Sequence, residues 1–120
     1  MERKLFYVNL KSFLKELVVV FPESDDELQI ITTSINLAIV DDEDNEIIDT
    51  FYKTLSPVSV EIETRDLSIF DKVKWDQSTH QYSLFRKLKN QWNTFSENNK
   101  KVIWDYITIL YGLSLKFNCL

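Results

Sequence analysis

Residues 96–118 read SENNKKVIWDYITILYGLSLKFN, and this stretch decides the fold. Val102, Ile103, Tyr106, Ile107, Leu110, Leu113 and Phe117 recur at the three- and four-residue spacing of one helix face. Trp104, Ile109 and Tyr111 spread apolar character round most of the circumference, the pattern of a central helix with neighbours on several sides. Ser96 or Asn98 supplies the side-chain acceptor for its first turn. The rest of the chain agrees by what it lacks. Among 120 residues there is one glycine, Gly112, and two prolines, Pro22 and Pro57. Tight β-turns draw on glycine for positive φ, so this scarcity favours helices over an all-β fold. It also excludes Gly-rich phosphate loops, where backbone must approach a phosphate closely.

Outward from that helix the same period recurs. Phe6, Leu10, Phe13, Leu14, Leu17 and Phe21 make a stripe over residues 3–21, opposite Lys11, Lys15 and Glu16, and Pro22 ends it. Ser24 with Glu27 reads as a capping box for a second helix. That helix carries Leu28, Ile31, Ile35 and Ala38, with Ile30 and Leu37 widening the stripe; its IITTSI run at 30–35 also has strand character. The polar break DDEDNE at 41–46 leads into a third helix faced by Ile47, Ile48, Phe51, Tyr52 and Leu55. After Ser56 and Pro57, Val58, Val60 and Ile62 alternate as an extended stretch or a short irregular helix. Asp66 caps a short helix with Leu67, Phe70 and Val73. Ser78 or Thr79 starts another, with Gln81, Phe85, Leu88 and Trp92 on its stripe and Tyr82 and Leu84 beside it. The expectation is an all-α fold: one domain over residues 1–120, a compact bundle of five or six helices with the C-terminal helix central.

With 44% hydrophobic residues the chain has material for a core and is not a disordered one. No apolar run reaches the ~18 residues of a membrane span. The start, MERKLFYVNLKSFLKELVVVF, is studded with charges and reads as neither signal peptide nor anchor. Net charge is −5 and uneven: residues 1–60 hold 5 basic and 12 acidic side chains, residues 61–120 hold 9 and 7. An acidic chain is poorly suited to cover a polyanion, and its acidic half suits a basic protein partner.

Chemistry is hard to assemble from these residues. His80, the one histidine, sits in DQSTHQYS near a helix start and reads as a surface or capping residue, although Ser78, Thr79 and Ser83 are near in sequence. Cys119 is the one cysteine, so no intrachain disulfide exists, and it reads as a spectator thiol in a reducing compartment. A zinc site needs several such ligands. The acidic run fails as a calcium loop, which needs Gly at position six and Glu at twelve. Starting at Asp42 puts Ile47 and Lys53 there; starting at Asp41 puts Glu46 and Tyr52 there. No catalytic residue, metal or cofactor is expected.

Three groups remain as binding candidates. Asp41, Asp42, Glu43 and Asp44 read as a solvated loop and helix cap, with a docking surface as the functional alternative. Trp75, outside any clean stripe, reads as core, or as an interface anchor if exposed. Arg86, Lys87 and Lys89 near Trp92, with Lys100 and Lys101 beyond, form the basic cluster; a solvated face is the plainer reading, an acidic protein partner or nucleic acid the others.

LKELVVVFPESDDEL at 14–28, FYKTLSPVSVEIETRDLSIFDK at 51–72 and WNTFSENNKKVIWDYITILYGLS at 92–114 together carry a resemblance. In that order they resemble small helical proteins of large nucleocytoplasmic DNA viruses of the giant-virus kind. At the second tryptophan the chain departs from that group, with LFRKLKNQW where many members carry Leu-Pro. The resemblance implies a viral protein of host cytoplasm or virion, helical and without an assigned activity. The function expected on these grounds is a non-enzymatic adaptor that binds a viral or host protein. A virion structural component and a nucleic-acid-associated factor are the alternatives, and the oligomeric state is open.

Overall fold

A computed structural model describes residues 2–21, 25–42 and 44–119. Among them the chain forms α1 (Glu2–Val20), α2 (Asp26–Val40), α3 (Glu46–Leu55), α4 (Ser59–Thr64), α5 (Ile69–Lys72), α6 (His80–Gln91) and α7 (Glu97–Asn118), with 3-10 turns at Ser56–Val58 and Trp92–Thr94. Six of these helices run six residues or more, α5 is a single turn, and no strand occurs among the described residues. The fold is all-α.

Helix α1 buries Phe6, Tyr7, Leu10, Phe13, Leu14 and Leu17, and Phe21 just beyond it, so the stripe read from the sequence is its core face. It lies along α7, which buries Ile103, Trp104, Ile107, Leu110 and Ser114. Phe13 stacks on Tyr106 where the two meet, ring centroids 5.2 Å apart. α7 also packs on α3 and α4, which makes it the central helix, although Ile109 and Leu115 stand exposed. α2 covers the remaining flank, against α1 and α6.

Aromatic rings link these layers. Contacts run from Tyr7 through Phe6, Phe51, Trp75, Phe85, Phe70, Trp92 and Phe95 to Phe21, with centroid distances of 5.1–6.2 Å, so the chain of rings begins and ends on or next to α1. Each such pair adds about 0.5–1.5 kcal/mol beyond its area. A radius of gyration of 13.5 Å is that of a compact chain of this length.

Several local readings change. Ser24 lies outside the described residues; the N-cap of α2 is Asp25, whose carboxylate accepts from the Leu28 N–H at 3.0 Å. Lys87 holds the same carboxylate at 2.9 Å. Of the two readings after Pro57, the short irregular helix is the one formed, with Val58 and Ile62 buried and Val60 exposed. Asp66 does not cap α5; its carboxylate accepts from the Ser68 N–H in a local turn, and Leu67 is exposed. Thr79 and Ser96 do cap α6 and α7, accepting from Tyr82 and Asn99 N–H. With one glycine in the chain, the positive-φ positions fall to Asn45 at 60° and Arg65 at 53°. Asparagine tolerates that region; arginine does so at a cost.

The largest departure is on α2. Its buried residues are Leu28, Ile31, Thr32, Ile35 and Ile39, a single narrow arc. Thr32 satisfies its hydroxyl by donating to the Leu28 carbonyl. Ala38, expected on the core stripe, and Ile30 and Leu37, expected to widen it, stand exposed instead. The reason is coordination: α2 has two neighbours, and they cover one side of it only.

Candidate protein-binding surface

The acidic loop is a clasp more than a surface. Asp42 is buried, and its carboxylate accepts from the backbone N–H of Glu46 at 2.9 Å, of Ile47 at 3.3 Å, and from the Tyr7 hydroxyl. Its carbonyl accepts from Arg3 Nη2 at 2.6 Å, and Arg3 also reaches Asn45 and lies 4.9 Å from the Tyr7 ring centre. One side chain thus satisfies the first N–H groups of α3 and ties them to the start of α1. Asp42 is therefore withdrawn from the expected docking surface. Asp41 and Asp44 remain exposed, and Glu43 lies outside the described residues.

Burial, and next the hydrogen bond and the charge of Asp42, push the Tyr7 phenol well above its ordinary value. A phenol with a raised folded-state pKa contributes stability that is complete below the unfolded pKa and is lost as pH rises above it. Alkaline conditions should therefore weaken the fold from about pH 10 upward. Denaturant unfolding at pH 8 and pH 10.5 will show a smaller pH effect in Tyr7→Phe than in wild type. Equal slopes in both proteins would remove Tyr7 as the cause.

Trp75 does not stand exposed. It is 5% accessible, with its ring 5.1 Å from both Phe51 and Phe85. The anchor reading required exposure and is overturned. Its Nε1–H has no acceptor among the described residues. The segment between α5 and α6 is irregular, so the burial of Trp75 comes from tertiary contact and left no period in the sequence.

All five basic candidates form ion pairs. Arg86 faces Glu27 at 3.6 Å, Lys87 meets Asp25 and Glu27, Lys89 meets Asp71 at 2.5 Å, Lys100 meets Glu97 at 3.2 Å, and Lys101 meets Asp105 at 3.0 Å. Arg86 and Lys89 line one groove with Trp75, and Lys100 and Lys101 line a different one beside Trp92 and Trp104. The cluster is split in space and neutralised locally, the reverse of a phosphate-tracking surface. His80 is exposed at the first position of α6, and Cys119 is exposed at the end of α7. Among the described residues no group of three or more His, Cys, Asp or Glu is placed to hold a metal ion, and no helix is long and apolar enough to cross a membrane.

What remains is the outer face of α2. Ile30, Leu37 and Val40 are 65%, 63% and 75% exposed. Residues 28–40, LQIITTSINLAIV, contain no charged side chain, in a chain that is 28% charged. A surface helix ordinarily sets charge opposite its buried stripe. This one sets a second apolar row there, and the sequence signal for it was the missing charge. Neither a family model, nor a curated protein, nor a solved structure matches the chain.

Proposed function

We propose that the chain is a non-enzymatic protein-binding domain, an adaptor, whose contact surface is the outer face of α2. The observation that supports this is the charge-free run at 28–40 with Ile30, Leu37 and Val40 turned to solvent. Single exposed apolar side chains are ordinary. Three along one side of one helix, with only Thr, Ser, Asn and Ala exposed or half-buried between them, form a patch of the kind that marks an interface. The resemblance of the sequence to giant-virus proteins makes the partner a viral or host protein, met in infected cytoplasm or in the particle.

The test is affinity capture with wild type and with Ile30→Lys/Leu37→Lys side by side, from lysate of the cells that make the protein. Both side chains are exposed, so the variant should unfold within about 0.5 kcal/mol per site of wild type. A stoichiometric partner on wild type, depleted at least about tenfold on the variant, is expected. Equal recovery on both, or no specific partner on either, overturns the proposal.

A further inference from the structure

The furrow beside the α2 face carries a charge pattern of its own. α1 and α2 run antiparallel: Arg3, Lys4 and Tyr7 border a cavity with Ile39, and Lys15, Val18 and Val19 border another with Gln29 and Thr33. The two cavities, about 430 and 590 Å³, share Lys11 and so form one furrow along the helix pair. On α1, Lys4, Lys11 and Lys15 follow the i, i+7, i+11 spacing of one helix face. None of the three forms an ion pair among the described residues, whereas most basic side chains of the second half of the chain do. Glu16, the exposed acid of α1, borders neither cavity. The furrow therefore has a row of three free lysines on one wall and, on the other, the charge-free part of α2 that follows Asp26 and Glu27 in its first turn. Val8 and Val19 stand exposed on the α1 wall; the α2 wall is Gln29, Thr32, Thr33, Asn36 and Ile39, and the exposed row Ile30, Leu37 and Val40 follows beyond it on the same helix.

We infer that the partner segment is an acidic amphipathic helix seated in this furrow, an inference that rests on the protein-binding reading of α2. A third helix laid between two antiparallel ones buries its apolar stripe on both, and its flanking carboxylates meet the lysine row. The acidic half of the chain thereby presents a basic furrow: Asp25 and Asp42 cap α2 and α3, and no acid among the described residues lines either cavity. Three other occupants fit less well. A membrane surface favours Trp, Tyr and Phe at the boundary, and the exposed large apolar residues of α1 and α2 are all aliphatic. Single-stranded nucleic acid needs exposed rings to stack on, and the one ring bordering the furrow, Tyr7, is buried. A second copy joined across a two-fold axis through this furrow would bring the same lysine row to the contact, with no acidic row to meet it.

The experiment is a selection. A displayed library of helical peptides, with apolar residues fixed at i, i+3 and i+7 and the other positions randomised, is selected on the full chain. Counter-selection uses Ile30→Lys/Leu37→Lys. Enriched peptides should carry net negative charge. Their affinity should fall about tenfold in Lys11→Glu/Lys15→Glu, and should weaken with salt. Peptides that depend on α2 but are neutral or basic would overturn the acidic partner and leave the protein-binding reading standing. Enrichment that ignores the α2 variant, or none at all, would overturn both. Cosedimentation with phosphatidylcholine–phosphatidylserine vesicles, or a dimer in sedimentation velocity, lost in either case in the α2 variant, would reassign the furrow to lipid or to a second copy.

Discussion

Trp75→Ala should cost about 3–5 kcal/mol of unfolding free energy, measured by urea denaturation with circular dichroism. Trp75 bridges Phe51 on α3 and Phe85 on α6, so truncation opens a cavity between two helices that share few other contacts. Domains of this size have about 5–15 kcal/mol to lose, so the variant will sit near or beyond its limit. Trp75→Phe separates packing from polarity. It keeps a ring against both neighbours and removes a buried N–H that has no acceptor among the described residues. Leaving such a donor unpaired costs about 1–3 kcal/mol, which offsets much of the lost volume. Trp75→Phe should therefore lie within about 1.5 kcal/mol of wild type. If alanine costs no more than phenylalanine, Trp75 is not the bridge described. If either variant loses partner capture while its fold is intact, the assignment of binding to α2 is in error.

Asp42→Ala should cost about 2–4 kcal/mol, whereas Asp41→Ala and Asp44→Ala should stay within about 0.5. Removal of the Asp42 carboxylate unpairs two N–H groups at the start of α3 and the Tyr7 hydroxyl together. The losses share one acceptor and will not add as independent sites would. A double-mutant cycle with Tyr7→Phe isolates the pair: the cost of Asp42→Ala should shrink in the Tyr7→Phe background. Three equal effects along the acidic run would mean a diffuse charge effect and no clasp.

The two proteins that test the fold most severely also mark where the sequence was legible. α1 and α7 announce themselves because each buries a continuous stripe, and burial on a helix imprints its period on the residues. Asp42 sits among five other polar or acidic residues of the DDEDNE run, and nothing local distinguishes the carboxylate that turns inward. What selects it is Tyr7, 35 positions earlier, brought there by the packing of α1. Trp75 is illegible for the same reason: an irregular segment has no period, so its contacts are fixed by elements far off in sequence. On α2 the pattern misled in a different way. Apolar residues on two arcs look like one wide core face until the number of neighbours is known. Two of the furrow's lysines, Lys11 and Lys15, were visible in the sequence as the polar side of α1, and Lys4 was not; the freedom of all three from ion pairs depends on where the acids end up.

The long contact between α1 and α7 has a kinetic side. Residues 21–96 separate the two helices, so the central packing joins parts of the chain made far apart in time. At about 5–20 residues per second, α1 waits about 4–15 s in synthesis before α7 begins to appear. During that interval the face with Phe6, Leu10, Phe13 and Leu17 has only part of its final cover. Helical bundles usually fold fast because their contacts are local; this one closes its core by its most distant pairing and should fall on the slow side of its class. The same order of events leaves a nascent chain whose first helix is open to other hydrophobic surfaces until its last one arrives.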